Sequence, residues 1–252
     1  MRNVKGVILC GGQGKRLRPL TFYFQKTMIP VGTKQKPLLE YVVRLLRHHG
    51  IRDIVMLVDY KAEQIENYFG DGSRFGVRIK CLRDDPRFKG NAGALYNALV
   101  KGYVSTSETL LIYYGDILSN IDISELLVFH RKQKAAATLA LSTKYHVDVG
   151  VAEVEGDVVV ELREKPPLGR PVTMGILALE GDRLPLVREI LDKKGVADIM
   201  GDLIPLLIER GEVVAAYLTD AFWYDVGSTE KYERLNHEKV DELLGFLFED
   251  SS

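Results

Sequence analysis

Short apolar runs and amphipathic stretches alternate through the first half of the chain. Residues 4–10 form an apolar run of strand length. Residues 38–48 carry Leu38, Leu39, Val42, Val43, Leu45 and Leu46 at helical spacing, and Gly50 ends the stripe. Next come a short apolar strand at 54–58, a helix at 62–69 closing on Gly70 and a strand at 77–82. A helix at 92–100 and a buried strand at 110–114 follow. Asp122 and Glu125 have the spacing of a capping box for a helix that runs to about Gln133. Strands alternating with helices in this way predict a parallel sheet covered on both faces.

The second half is richer in strands. Residues 136–141 and 172–179 read as strands, and 151–154 with 158–162 as a hairpin turning at Gly156-Asp157. Helices are predicted at 184–192 and 203–209, a strand at 213–218, and one or two amphipathic helices over 229–247. No Ser- or Pro-rich linker, repeat or low-complexity tract interrupts the sequence. The pattern predicts one domain over residues 1–252, with a β-rich portion at 136–180 and C-terminal helices over 228–252.

Composition narrows the class. Hydrophobic residues at 46% and charged residues at 27% match an ordinary globular protein. A formal net charge of −1 gives no general attraction to nucleic acid or to an anionic membrane, and neither partner is expected. No apolar run approaches the ~20 residues a membrane helix needs. The strand beginning near residue 4 leaves no room for a signal peptide. A cytoplasmic enzyme is the expectation, with homo-oligomerisation left open. Cys10 and Cys81 sit in apolar strand contexts and read as buried thiols, not as a disulfide or zinc site. Charge is unevenly spread: residues 1–60 hold eleven Lys/Arg against three Asp/Glu, and residues 213–252 three against nine. The basic start suits an anionic small ligand and, equally, a solvated basic face.

The candidate chemistry begins where the first strand ends. Gly11, Gly12 and Gly14 follow it directly, and Lys15, Arg16 and Arg18 come next. Glycines let backbone N–H groups approach a ligand closely, successive N–H groups make an anion nest, and nearby cations reinforce it. The reading is a phosphate cradle. It is not a dinucleotide fingerprint, whose third glycine would fall on Leu17, nor a Walker loop, since Arg16 follows Gly14-Lys15 and Leu9 stands five before Gly14. Ligands of open α/β sheets sit beyond the C-terminal ends of the strands. Gly115-Asp116, after the strand at 110–114, is therefore expected to share a crevice with the glycine turn. A carboxylate facing a phosphate cradle calls for a bridging cation, and Mg²⁺ held by one or two carboxylates plus substrate phosphates meets that need. Asp225, among Phe222, Trp223, Tyr224 and Val226, is a second candidate; capping the following helix is the alternative. Lys26 and Lys36 read locally as solvated surface lysines, and Glu164-Lys165 before Pro166-Pro167 either as a grip on a sugar hydroxyl and a phosphate or as a polar turn.

Taken together, GGQGKRLRPLT, QKTMIPVG, KQKPLLEY, KGNAGALYNAL, YYGD, VGVAEV, ELREKP, TMGI and FWYDVGSTEKY resemble, in order and spacing, the sugar-1-phosphate nucleotidylyltransferases, or nucleotide-sugar pyrophosphorylases. The resemblance covers about residues 3–236. It implies a three-layer α/β/α, Rossmann-like fold with a mixed, mostly parallel sheet, and Mg²⁺-dependent transfer from an NTP to a sugar 1-phosphate. By motif position, Gly11, Gly12, Gly14 and Lys15 would bind nucleotide, Arg16 the β- and γ-phosphates, and Lys26 the α-phosphate. Asp116 and Asp225 would hold Mg²⁺; Arg83 or Asp84, with Gly90, Asn91 and Gly93, would meet the base and sugar. Gly150, Glu164, Lys165 and Thr173 would bind the sugar phosphate. Lys15 stands where the family often has Thr, Arg83 or Asp84 where it has Gln or Glu, and Thr173-Met174 where Asn is common. The left-handed β-helix of longer relatives is not expected. An acceptor other than a hexose phosphate, or a non-catalytic sensor, are the competing readings.

Overall fold

The computed structural model describes residues 3–249. Met1, Arg2 and residues 250–252 lie outside these, and so do the expectations for the extreme start of the chain and the end of its helical tail.

The apolar runs form the strands of one seven-stranded sheet: β1 (Val4–Leu9), β2 (Asp53–Val58), β3 (Arg78–Arg83) and β4 (Thr109–Tyr114) in its first half. A short strand, β5 (Ile117–Ser119), lies outside this sheet. Then come β6 (Ala137–Ser142), the hairpin β7 (Val151–Glu155) and β8 (Val158–Arg163), β9 (Val172–Glu180), β10 (Val214–Thr219) and β11 (Trp223–Asp225). The order across the large sheet is β10-β6-β9-β4-β1-β2-β3. Every neighbouring pair is parallel except those of β9, which runs antiparallel to both β4 and β6. The sheet is thus mixed and mostly parallel. Strands β6 and β9, expected in a β-rich portion, belong to this sheet, so only the β7–β8 hairpin stands apart from it.

Alternate side chains of the central strands feed two apolar layers, as the pleat requires. Ile8, Met56, Leu111 and Tyr113 pack on one face against helices α1 (Leu38–His48), α2 (Ala62–Phe69) and α4 (Ile123–Gln133), and near the C-terminus against α8 (His237–Leu244). Val7, Val55, Leu57 and Ile112 pack on the other against α3 (Asn91–Val100), α5 (Leu186–Lys194) and α6 (Ile204–Glu209). Helix α1 buries Leu38, Leu39, Leu45 and Leu46 almost completely. Truncating one such leucine to alanine removes about 2–5 kcal/mol.

Two expectations about local structure are corrected. Asp122 caps α4 by accepting from the Glu125 N–H at 2.9 Å, but the Glu125 carboxylate accepts instead from the Tyr217 hydroxyl at 3.0 Å. A donor on neighbouring β10 outcompetes the second bond of the capping box. Cys10 is buried, whereas Cys81 is only half-buried; both are free thiols, and burial raises their pKa values, that of Cys81 to about 11.

Candidate active site

Four strand ends set the site. In the order β4, β1, β2 and β3 they deliver Asp116, Gly11, Asp59 and Asp84 to one rim of the sheet. A cleft of about 340 Å³ opens there. Its lining includes Gly11, Gly12, Gln25, Lys26, Asp84, Gly90, Asn91, Tyr114 and Asp116.

The glycine turn is held open by its neighbours. Gly14 adopts the left-handed conformation, φ 61° and ψ 37°, and starts a one-turn 3₁₀ helix at Lys15–Leu17 whose Leu17 is buried. Its carbonyl accepts from the Thr21 hydroxyl at 2.9 Å. The Thr229 hydroxyl, at the start of helix α7 (Thr229–Glu233), donates to the carbonyls of Arg16 and Arg18. Among the described residues, the N–H groups of Gly11, Gly12, Gln13 and Gly14 donate to no protein acceptor. Consecutive unpaired N–H groups are the raw material of an anion nest.

Gln25, which the sequence reading passed over, fastens this turn. Its buried amide donates to the Cys10 carbonyl and accepts from the Thr27 N–H and hydroxyl at 2.6 and 2.7 Å. The only hint in sequence was a polar residue set between the aromatic run 22–24 and Lys26. With Gln25 fixed, Lys26 crosses the cleft floor and forms an ion pair with Asp116. Both side chains are largely withdrawn from water, 14% and 20% exposed, which strengthens their attraction over that of a surface pair.

Asp225 does not line the cleft, but a backbone ladder ties it to Asp116. Strand β11 pairs antiparallel with β5, Asp225 facing Ile117, and the Val226 N–H donates to the Asp116 carbonyl at 3.0 Å. Asp116 and Asp225 are therefore neighbours across two strands although 109 positions apart in the chain. Asp225 pairs with Lys231 at 2.8 Å and does not cap α7; Ser228 does that by accepting from the Lys231 N–H. Two hard carboxylates on adjacent strands suit Mg²⁺, which takes one or two carboxylates plus substrate oxygens. No group of three or more His, Cys, Asp or Glu able to hold a metal occurs among the described residues, so a cation here would depend on the substrate to complete its shell.

The opposite wall is the start of α3. Gly90 has φ 87°, and a Cβ there would fall 2.2 Å from the Ala197 carbonyl oxygen, so only glycine fits. Gly93 is buried, and a Cβ there would fall 2.5 Å from the Phe88 carbonyl oxygen. Asn91 donates to Asp198 and to the Tyr114 hydroxyl and accepts from the Ile199 N–H at 2.7 Å, which spends its amide on holding the wall.

Other expected residues lie elsewhere. Arg83 does not line the cleft: its guanidinium turns outward onto α2 and pairs with Glu66 at 2.8 Å and Glu63 at 3.0 Å. Asp84, the other candidate, lines it instead. Burial, and then the neighbouring Asp59, raise the Asp84 carboxyl to about 6. Lys15 and Arg16 are exposed beside the cleft and not in its lining, and make no side-chain hydrogen bond or ion pair among the described residues. Gly150 and Glu164 face each other at the open end of the hairpin, a Cβ on Gly150 falling 3.1 Å from the Glu164 carboxylate. Lys165 follows with φ 46°. Thr173 is exposed at the start of β9, two residues before Gly175, where an added Cβ would fall 3.3 Å from the Tyr114 Cβ. None of these four is in the cleft lining. The hairpin stem is anchored near Asp225, because Tyr145 stacks on Trp223 with ring centroids 6.3 Å apart.

Comparison with known proteins places this arrangement. A family model described as nucleotidyl transferase matches residues 5–242. A UTP–glucose-1-phosphate uridylyltransferase of Synechocystis is 31% identical over 245 residues, covering 91% of this chain and 61% of the relative. A mannose-1-phosphate guanylyltransferase of Mycobacterium tuberculosis is also 31% identical, covering 92% of this chain and 63% of the relative. The chain thus spans about three fifths of the length of these relatives. A Bacillus anthracis protein described as a glucose-1-phosphate thymidylyltransferase, crystallised with sucrose, superposes with a TM-score of 0.74 at 25% identity, covering 94% of each chain. No helix of the described residues is long and apolar enough to cross a membrane.

Proposed function

The chain belongs to the nucleotidyl transferase family, and on that premise we propose that it transfers a nucleotidyl group from an NTP to a sugar 1-phosphate, with glucose 1-phosphate or mannose 1-phosphate as acceptor. The products are an NDP-sugar and pyrophosphate. The observation that carries this reading is one corner of the cleft, where the unpaired N–H groups of the glycine turn, the Lys26 ammonium and the Asp116 carboxylate meet, with Asp225 one ladder rung away.

A phosphate oxygen of the acceptor attacks the α-phosphorus. The new P–O bond forms as the bond from the α-phosphorus to the oxygen bridging the β-phosphate breaks, and pyrophosphate leaves with that electron pair. The attacking oxygen is already anionic, so no general base is needed, and the protein's work is positioning and charge stabilisation. The N–H groups from Gly11 to Gly14 receive the phosphates. Lys26, held in the cleft by Asp116, exchanges that partner for the α-phosphoryl oxygens, where charge develops. Arg16, exposed on the loop, folds over the departing β- and γ-phosphates. Asp116 and Asp225 would hold Mg²⁺, which when bound supplies positive charge to the α-phosphate and the leaving group. Gly150, Glu164 and Lys165 beside the hairpin, with Thr173 on β9, receive the sugar phosphate.

The test is pyrophosphate release across a grid of five NTPs and several sugar 1-phosphates, with and without Mg²⁺. At least one pair should react, only with the metal. Silence throughout from well-folded protein would overturn the reading in favour of a non-catalytic nucleotide-sugar binder.

A further inference from the structure

The glycine turn absorbs only part of the basic start of the chain. Three more of its cations, Arg44, Arg47 and Arg52, gather at the far rim of the sheet. Parallel strands β1, β2 and β3 turn their C-terminal ends to the cleft, so the N-terminal ends of β2 and β3 lie opposite. A cavity of about 430 Å³ opens there, within the usual size of a small-molecule site. Arg44, Arg47 and His48 reach it from the last turns of α1, Arg52 from just before β2, and Gly76 from just before β3. Phe246 and Leu247 of the 3₁₀ turn Gly245–Phe248, with Glu249, complete the wall.

The three arginines are not equivalent. Arg44 is spent on the fold: it pairs with Glu40 at 2.7 Å, lies over the Phe248 ring at 4.5 Å and donates to the Leu247 carbonyl. Arg47, half-buried, has one long bond of 3.5 Å to the Phe75 carbonyl and no carboxylate partner among the described residues. Most of its guanidinium donors are therefore unused. Arg52 makes no side-chain hydrogen bond or ion pair among the described residues. Glu249, the one carboxylate of the lining, pairs with neither. A helix C-terminus favours cations, which accounts for Arg47 and His48, but Arg52 lies beyond α1. Two guanidinium groups thus line one cavity with their charge uncompensated.

Guanidinium forks match the oxygens of a phosphate, each able to donate two parallel N–H bonds. His48 adds one ring N–H in either tautomer. One wall is apolar: the Phe246 ring, 39% exposed, meets His48 edge-on with centroids 5.1 Å apart. The volume exceeds what inorganic phosphate fills, and that wall suits an organic group. We propose that this cavity is a second binding site, separate from the catalytic cleft, for a phosphate monoester of a small apolar or aromatic molecule. Arg47 and Arg52 grip the phosphate, and Phe246 packs against the organic group. Neither arginine belongs to the nucleotidyl-transfer site, so the two sites stand or fall separately.

Calorimetric titration of the whole protein with phenyl phosphate, without nucleotide or Mg²⁺, tests it. One molecule per chain should bind with Kd on the order of 1 mM or below, the yield of two or three charge-assisted bonds. Inorganic phosphate, lacking the group that covers Phe246, should bind at least about 3-fold more weakly. Arg52→Gln, which removes no contact of the fold, should weaken phenyl phosphate roughly 10-fold, and Arg47→Gln as much. Lys26→Ala should leave that binding unchanged. At about ten times Kd the ligand should raise the Tm of the unmodified protein by about 3–6 °C, and that of Arg52→Gln by under about 2 °C. No saturable binding up to about 10 mM would overturn the inference. Binding lost in Lys26→Ala and kept in Arg52→Gln would also overturn it, by placing the anion in the cleft. Equal affinity for inorganic phosphate would do the same, since the organic group would then have no place in the site.

Discussion

The glycine turn makes a paired prediction, because two of its glycines are required for different reasons. Gly14 is required by the fold. It lies at φ 61°, and a Cβ there would stand 2.8 Å from Thr21 Cγ2 and 3.1 Å from Lys26 Cβ. Left-handed backbone costs an L-residue about 1–2 kcal/mol. Crowding a methyl against two packed side chains adds about 1–3 kcal/mol. Gly14→Ala should thus lose about 2–5 kcal/mol, and in a chain of this size each kcal/mol moves Tm by about 2–4 °C, so a fall of roughly 4–20 °C is expected. Gly12 is required only by the ligand. Its φ is not positive, and a Cβ there meets no atom within 4 Å. Gly12→Ala should melt within about 2 °C of wild type, since a substitution free of strain and contact stays near ±0.5 kcal/mol. The methyl would stand among the phosphates, however, and a displacement near 1 Å there costs on the order of 100-fold in kcat/KM for the NTP. Scanning fluorimetry and steady-state pyrophosphate release separate the two effects. A Gly14→Ala variant as stable as wild type, or a Gly12→Ala variant with unchanged kcat/KM, would refute the reasoning.

Lys26→Ala should lower kcat by roughly 100- to 1,000-fold, the cost of losing one donor to developing charge, with little change in nucleotide Kd; an effect confined to KM would make Lys26 a binding residue only. Asp116→Asn and Asp225→Asn should each abolish turnover at any Mg²⁺ concentration. For Asp225→Asn the cost to the fold is under about 1 kcal/mol, because its pair with Lys231 is partly exposed. Near-normal activity in either variant would remove that residue from the metal site. Asp84 gives a pH signature. Its carboxyl sits near 6 in the fold against about 3.9 in the unfolded chain, so over that interval the native state holds the extra proton. Stability should therefore fall slightly as pH rises from about 4 to 6, by under about 1 kcal/mol since the side chain reaches water, and Asp84→Asn should flatten the slope in urea melts.

Much of the scaffold was legible because the apolar runs and stripes are clean. Helix α1 begins and ends at the residues its periodicity marks, since Pro37 and Gly50 bracket an uninterrupted stripe. The direction of β9 was not legible: Val172–Glu180 reads like any buried strand, and only its place between β4 and β6 makes it antiparallel. The site was legible where the strand-end rule applied, which brought Gly11, Gly12 and Asp116 to one cleft. The resemblance left Arg83 and Asp84 open because successive side chains point to opposite faces, and an offset of one residue exchanges cleft for surface; Asp84 is the one in the lining. Gln25 was invisible, because its buried bonds run to backbone groups that no periodicity marks. The proximity of Asp225 to Asp116 depends on the β5–β11 ladder, two three-residue strands too short to show in any pattern.

The central claim is that the phosphate of the acceptor attacks the α-phosphorus of the nucleotide. Sugar 1-phosphate carrying ¹⁸O at its three non-bridging phosphate oxygens tests it in one turnover, read by mass spectrometry of both products. The account predicts that the NDP-sugar retains all the label and that pyrophosphate contains none. Label in pyrophosphate, or its loss from the NDP-sugar, would contradict it.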